Sequence, residues 1–320
     1  MPKYKLFAGS AAAKAIAAGA LLPLFAGIAP SVLVGSAAAQ NACTAEPDGT
    51  IVCSARIPPP PGSPPGTPPT AGSIDLTASP NPLAVTLEEG FVSNGPMNLG
   101  TIGGADVAIV SEGVSTIEST SSGLVVDSSG GIEAQITNVT TTADSATGVL
   151  LRAVDDIIFT SDGLISTAGA NADGVNAEGR SVTLNLNDVS TTGPNAQGVE
   201  VGTLDGPATV TFDLIDTSGD GSTGAIIRST GDTTLAGNLI RTRGTDAAGF
   251  SITNDAAACI ILGAGGCDNT VKLDGVTTHE LAPSEADPEP GAHPTMFHPS
   301  EIELVTTTRR VLADVERLKP

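Results

Sequence analysis

The sequence predicts an all-β fold, a right-handed parallel β-helix built from coils of about 25 residues. Three observations predict it. A Thr followed seven residues later by a Gly recurs six times. Apolar and polar residues alternate on both sides of each such segment, the period of a strand with one buried face. Aromatic residues make up only 2% of the 320-residue chain, so the core must be assembled from Val, Ile, Leu and Ala.

The repeat comprises Thr116/Gly123, Thr141/Gly148, Thr167/Gly174, Thr191/Gly198, Thr217/Gly224 and Thr242/Gly249, with successive threonines 25, 26, 24, 26 and 25 residues apart. Two residues before each Thr stands Val114, Val139, Ile165, Val189, Ile215 or Ile240. Sharing a strand face with these, the threonines are expected to stack inside, each hydroxyl bonding within its column or to backbone. The residue between them (Ser115, Thr140, Ser166, Ser190, Asp216 or Arg241) should face solvent. Two residues before each Gly is Ser121, Ala146, Ala172, Ala196, Ser222 or Ala247.

Alternation before the corner is seen in Ile132-Ala134-Ile136, Val182-Leu184-Leu186 and Val210-Phe212-Leu214. After it, Val149/Leu151, Val175/Ala177, Val199/Val201, Ala225/Ile227 and Phe250/Ile252 alternate again. Each unit therefore holds three short strands, too few to bury an apolar face alone. Stacking the units as coils buries those faces, and six coils at ~4.8 Å give ~29 Å of solenoid. Propeller blades need ~40–45 residues, and no Leu framework or helical stretch supports leucine-rich repeats. A second glycine recurs as Gly169, Gly193, Gly219 and Gly244, while the residues between it and the next Gly differ from copy to copy. A ligand grip needs its chemistry once, whereas a corner needs its geometry in every coil.

In chain order, residues 1–39 read as an export signal: Lys3 and Lys5, an Ala/Leu-rich stretch, and Ala37-Ala38-Ala39 as cleavage site. Residues 40–56 form a hairpin around Asp48-Gly49, with Cys43 and Cys53 placed to form a disulfide. Residues 57–73 are a proline-rich, extended linker. The β-helix occupies 74–280, with an unphased capping region ahead of the first clear repeat. Downstream, Val276 and Thr278 restart the unit after an excursion carrying the second cysteine pair, Cys259 and Cys267, also read as a loop-closing disulfide. Residues 281–299 read as a disordered linker, and 300–320 as a short amphipathic helix with Ser300 and Glu303 in capping-box spacing.

Charge narrows the partners. The chain carries 14 basic and 35 acidic residues, a net charge of −21. The signal holds Lys3, Lys5 and Lys14 and no acid, so its removal leaves 11 basic and 35 acidic residues, or −24. Such a chain repels nucleic acid and anionic lipid.

Glycoside cleavage uses two facing carboxyl groups, for which the pairs Asp155/Asp156, Asp216/Asp220 and Asp173/Glu178 are the candidates. Asp is also a favoured corner residue, and no Trp and no Tyr beyond Tyr4 is available to stack a sugar ring, so no catalytic residue is assigned. His279, His293 and His298 fall at or beyond the last repeat and give neither a Ser/His/Asp set nor a metal cluster. "DTSGDGSTG" and "NADGVNAEG" place carboxylates beside glycines without matching a known Ca²⁺ loop, so Ca²⁺ is an electrostatic option and no cofactor is assigned.

The signal, paired cysteines, proline-rich linker and "V-S-T-T-G-x-N-A-x-G-V" repeats together resemble the passenger regions of bacterial autotransporters, over roughly residues 75–280. The resemblance implies a β-helix at the outer membrane, on the surface of, or secreted from, a Gram-negative cell. It implies a surface or host ligand, protein or glycan, and an adhesin-like or structural role, although such passengers also include proteases; the absence of catalysis is the expectation from the residues above. Autotransporters end in a translocator barrel, and this sequence ends at Pro320 after a charged segment. The expectation is a passenger whose translocator is supplied elsewhere, or a truncated one. The alternative is a polysaccharide-acting β-helix lyase or hydrolase, for which a groove with two facing carboxylates beside an Arg or Lys would be the mark.

Overall fold

A computed structural model of the protein describes residues 43–54, 72–254 and 269–279. The export signal, most of the proline-rich linker, Cys259, Cys267, His293, His298 and the C-terminal helix lie outside the described residues. Every regular element described is a strand, and together they form a parallel β-solenoid of about seven turns with coils about 25 residues apart.

Sheet B is a stack of eight parallel strands. These are β3 (Ile74–Ser79), β6 (Met97–Thr101), β9 (Leu124–Ser128), β12 (Val149–Ala153), β14 (Val175–Gly179), β16 (Val199–Thr203), β18 (Thr223–Ser229) and β20 (Ala248–Asn254). Sheet A supplies the other two sides of each coil. In the early coils those sides are separate: β4 (Leu83–Leu87) and β5 (Val92–Ser93), then β7 (Val107–Ser111) and β8 (Thr116–Ser119), then β10 (Ile132–Ile136) and β11 (Asn138–Thr141). Later they merge into bent strands: β13 (Ile157–Ala168), β15 (Val182–Thr192), β17 (Ala208–Ser218), β19 (Thr233–Arg243) and β21 (Asn269–His279). The three-strand unit read from the sequence is therefore the coil of the solenoid.

Period two puts one side chain of each pair into the lumen. Val182, Leu184, Val210 and Ile215 are fully buried, as are Val149, Leu151, Val175, Val199 and Val201. Aliphatic side chains of similar size thus stack in columns, each covering the one below. Phe212 needs a different arrangement: a Cβ on Gly237, its register partner in the next coil, would lie 2.5 Å from its ring. A large side chain is accommodated by deleting the one above it.

Two expectations of phase are corrected. Leu214 does not continue the Val210-Phe212 face: the strand bends at Asp213, and Ile215 becomes the next buried residue. Upstream, the region expected to be unphased is in register from β3 onward, since β4 pairs with β7 and β3 with β6 in parallel. Two coils thus precede the first complete repeat, hidden because the first lacks its Thr and Gly and the second keeps only the Gly.

The bend within sheet A has its own chemistry. Asp162, Asn187, Asp213, Asn238 and Asp274 occupy it in five successive coils, with Gly163 an extra residue in the first. Acid and amide alternate, and the Asn238 side-chain amide donates to the Asp213 carboxylate.

The Cys43–Cys53 disulfide forms as expected and closes a hairpin of β1 (Cys43–Ala45) and β2 (Ile51–Cys53). The hairpin is part of the solenoid: β2 pairs in parallel with β4, Ile51 opposite Val85 and Cys53 opposite Leu87, and Cys53 is fully buried in the core.

Candidate functional site

The Thr–Gly corner is the most repeated feature. Thr141, Thr167, Thr191, Thr217 and Thr242 are at most 1% exposed, so the column stacks inside, as expected. Thr141 Oγ1 donates to the Ala146 carbonyl at 2.6 Å, Thr167 to Ala172 at 2.6 Å and Thr191 to Ala196 at 3.3 Å, bracing the corner across five residues. Thr217 and Thr242 Oγ1 have no hydrogen-bond partner among the described residues.

Thr116 is a correction. Its register partner is Asn138, while Ser119 lies opposite Thr141 and Ile117 opposite Val139. The true column therefore begins at Ser119, and Val114 is 56% exposed. Ser115, expected to be solvated, is 1% exposed, and Glu118 takes the outward position. Gly123 keeps its place, so this first corner is three residues shorter than the corner from Thr141 to Gly148.

The recurrent glycine is required by close approach. A Cβ on Gly148 would lie 2.6 Å from the Gly174 carbonyl oxygen and 2.8 Å from Ile165 Cγ2 of the next coil. Gly123, Gly174, Gly198 and Gly224 meet the same obstruction, and on Gly249 a Cβ would lie 2.7 Å from Val276 Cγ1. None of the six is among the positive-φ glycines.

The residues between the two glycines are less free than their identities suggest. Ser145, Asn171, Asn195, Gly221 and Asp246 all have φ between 55° and 69°. That left-handed conformation is tolerated by Gly and by short polar residues, and is costly for β-branched ones. Their amides continue the ladder: Asn171 N donates to the Pro194 carbonyl and Asn195 N to the Asp220 carbonyl. The shared signal was chemical type at one position, not identity.

The carboxylates considered for catalysis are bound into the stack. Asp156 accepts two hydrogen bonds from the Arg180 guanidinium at 3.1 Å and one from Ser181 Oγ; Arg180 hydrogen bonding, then Ser181, holds its carboxyl below the usual range. Asp155 lies 3.4 Å from Arg180. Asp216 is paired with Arg241 and Arg243, and Asp220 accepts the Thr245 amide at 2.8 Å. Asp173 accepts the Gln197 amide at 2.8 Å; burial pushes its carboxyl up, aided by the charge of Glu200 and opposed by the hydrogen bonds from Gln197 and Asn176. The pattern recurs at Asp106, Asn138 and Asp144, which accept the amides of Gly131, Leu164 and Ala170 one coil on. Where the backbone ladder breaks at a corner, a side-chain oxygen replaces the missing carbonyl.

Asp188 differs from these. It stands in register between Leu164 and Leu214, and burial, then the charge of Asp213, pushes its carboxyl up.

Among the described residues, two of the shallow depressions on the outer surface bear on the candidates above. One, of about 350 Å³, lies on sheet B and the corner after it, lined by Asp127, Arg152, Glu178, Val154 and Leu204 among others. Arg152 is in register with both Asp127 and Glu178, so it stands between the carboxylates; it lies 3.9 Å from Asp127, both side chains more than half exposed. The other, of about 330 Å³, is lined by Asn94, Glu118, Ser119, Thr120, Thr140 and Thr142. Among the described residues, no three His, Cys, Asp or Glu side chains converge to hold a metal ion, and Asp173, Asp216 and Asp220 of the glycine-flanked segments have the partners given above. The backbone of His279 ends β21 opposite Arg243. No protein-family model, no curated protein and no solved structure matches the chain.

Proposed function

We propose that this chain is an exported β-solenoid of the autotransporter-passenger kind, displayed on the cell surface or secreted, and structural or adhesin-like without enzymatic activity. The observation that carries this reading is the use made of the acids. Asp106, Asp144, Asp173 and Asp220 each hold an amide of the following coil, and Asp156 and Asp216 are held by arginines. Acids committed to holding coils together are poorly placed to exchange protons with a substrate. The long polar faces would then contact a host or surface ligand, protein or glycan, and outer-membrane attachment would use a translocator supplied elsewhere. A net charge of −21 speaks against nucleic acid as partner.

The test is to express the chain with its proposed signal in a Gram-negative host and probe intact cells with protease and antibody. Surface accessibility or release to the medium is expected; retention in the cytoplasm sinks the reading. Purified protein should release no reducing ends from acidic or neutral polysaccharides.

The Asp127–Arg152–Glu178 row favours a second reading, a polysaccharide-acting enzyme, because it brings two carboxylates and an arginine to one depression. Arg152 between them weakens it, since an inverting or retaining pair must face the substrate from two sides. Polysaccharide cleavage abolished by either Asp127→Asn or Glu178→Gln would establish that reading over the first.

A further inference from the structure

We propose that the disulfide-closed hairpin is an end cap that prevents a second copy of this chain from adding to β4 head to tail. β4 has the burial pattern of an interior coil strand, with Leu83, Val85 and Leu87 buried, and it pairs with β7 on one side. Without the hairpin, its other edge would offer unpaired amides and carbonyls in the register used by every coil, a template for strand addition. The matching edge lies at the opposite end. β21 pairs with β19 at ten positions, and pairs with no further strand among the described residues. Parallel coils stack head to tail, so such a contact is heterologous and does not close on itself. The occupant is therefore a further copy of the same repeat.

The hairpin changes the template at this end. β2 accepts the parallel register of β4, and β1 then runs antiparallel to β2 for three residues, with Thr44 and Ala45 exposed. No coil in the stack pairs in that manner. Strands of three residues are marginal by themselves, and the hairpin is held by the disulfide between register partners and by its turn. There Glu46 N donates to the Thr50 carbonyl at 2.8 Å and Thr50 N to Asp48 Oδ1 at 2.9 Å. The net charge opposes association of copies, so assembly of an uncapped chain should strengthen with salt.

The experiment compares the full chain with a Cys43→Ser/Cys53→Ser double variant and with Ile51→Pro, which removes the β2 amide that faces β4 and leaves the disulfide in place. Sedimentation velocity across concentration, at low and high salt, reads association; hydrogen exchange reads the β4 amides. The wild type should remain monomeric. Both variants should form a concentration-dependent series of oligomers, at least tenfold tighter than any wild-type association and stronger at high salt, with β circular dichroism kept and β4 amides protected in the oligomer. Variants that stay monomeric overturn the proposal, as does a wild type that associates equally. Loss of the β spectrum in both variants also overturns it, since the hairpin would then be a requirement of the fold.

Discussion

The solenoid turns two very different corners in each coil. From Thr141 to Gly148, and in the four coils that follow, the Thr–Gly corner keeps its length, its left-handed residue and its obstructed glycine. The corner after sheet B runs from Thr101 to Val107 in one coil, from Gly179 to Val182 in another and from Thr203 to Ala208 in a third. It carries Ile102, Val154 and Leu204, each more than half exposed, and one wall of the larger depression. The first corner keeps one length because a glycine of each coil lies against the glycine carbonyl of the next. The second is also hydrogen-bonded from coil to coil, Gly130 N to the Ala105 carbonyl and Arg180 N to the Asp155 carbonyl, but its apolar tips face solvent and its length varies. Variation in length belongs to the second.

The sharpest way to break this contrast is Gly198→Val. Its side chain would enter the space of the Gly224 carbonyl and Ile215, and we expect a loss of roughly 3 kcal/mol or more in denaturant unfolding. Gly202→Val, on the outer face of sheet B with Glu178 Cγ 3.8 Å away as its nearest neighbour, should leave stability unchanged or raise it. Next is Asn195→Val, a β-branched residue at φ 56°, expected to cost about 1–3 kcal/mol by the same measurement, while Asn195→Gly stays close to wild type. At the bend of sheet A, Asn238→Asp would put three carboxylates in succession with Asp213 and Asp274, a loss of about 0.5–1 kcal/mol that added salt should restore.

Asp173→Asn tests the buried carboxylate within the strict corner. Its folded-state pKa is raised, so the native state holds the proton more tightly than the unfolded chain does. The contribution of this group to stability should be full below the ordinary carboxylate value and be lost as pH rises through the raised one. Unfolding curves of Asp173→Asn should lack that decline and match or exceed wild type at neutral pH, because an amide oxygen can still accept the Gln197 amide. A variant that instead loses stability only at pH values above the raised one would show the charge itself to be required. At the variable corner, Val154→Ser should change stability by less than about 0.5 kcal/mol.

Legibility in the sequence followed the same division. The solenoid, its coil length and the internal Thr column could be read because Thr, Val or Ile, and Gly recur as the same residue types. The early coils could not, since Ser119 stands where Thr would and its corner is three residues shorter, so Thr116 offered a false match. The left-handed column was missed because Ser, Asn, Gly and Asp satisfy one backbone need under four names. Docking of the hairpin was out of reach, since the residues that join β2 to β4 are spaced by a linker whose path no periodicity reports. The acids were legible as corner residues, but which amide each one holds depends on the coil above, and a single sequence line does not display that neighbour.

The alternation of acid and amide at the bend sets how the molecule can grow. Neighbouring coils lie ~4.8 Å apart, so carboxylates at every second coil are ~9.6 Å apart. That exceeds the ~8 Å over which charges are screened in physiological salt. Within this column each carboxylate is therefore largely screened from the next, Asp188 beside it being the acid that still feels Asp213, and the electrostatic cost per coil within the column does not accumulate with length. Coils could be duplicated in pairs, one acid and one amide at a time, with the edge no more strained at twenty coils than at five.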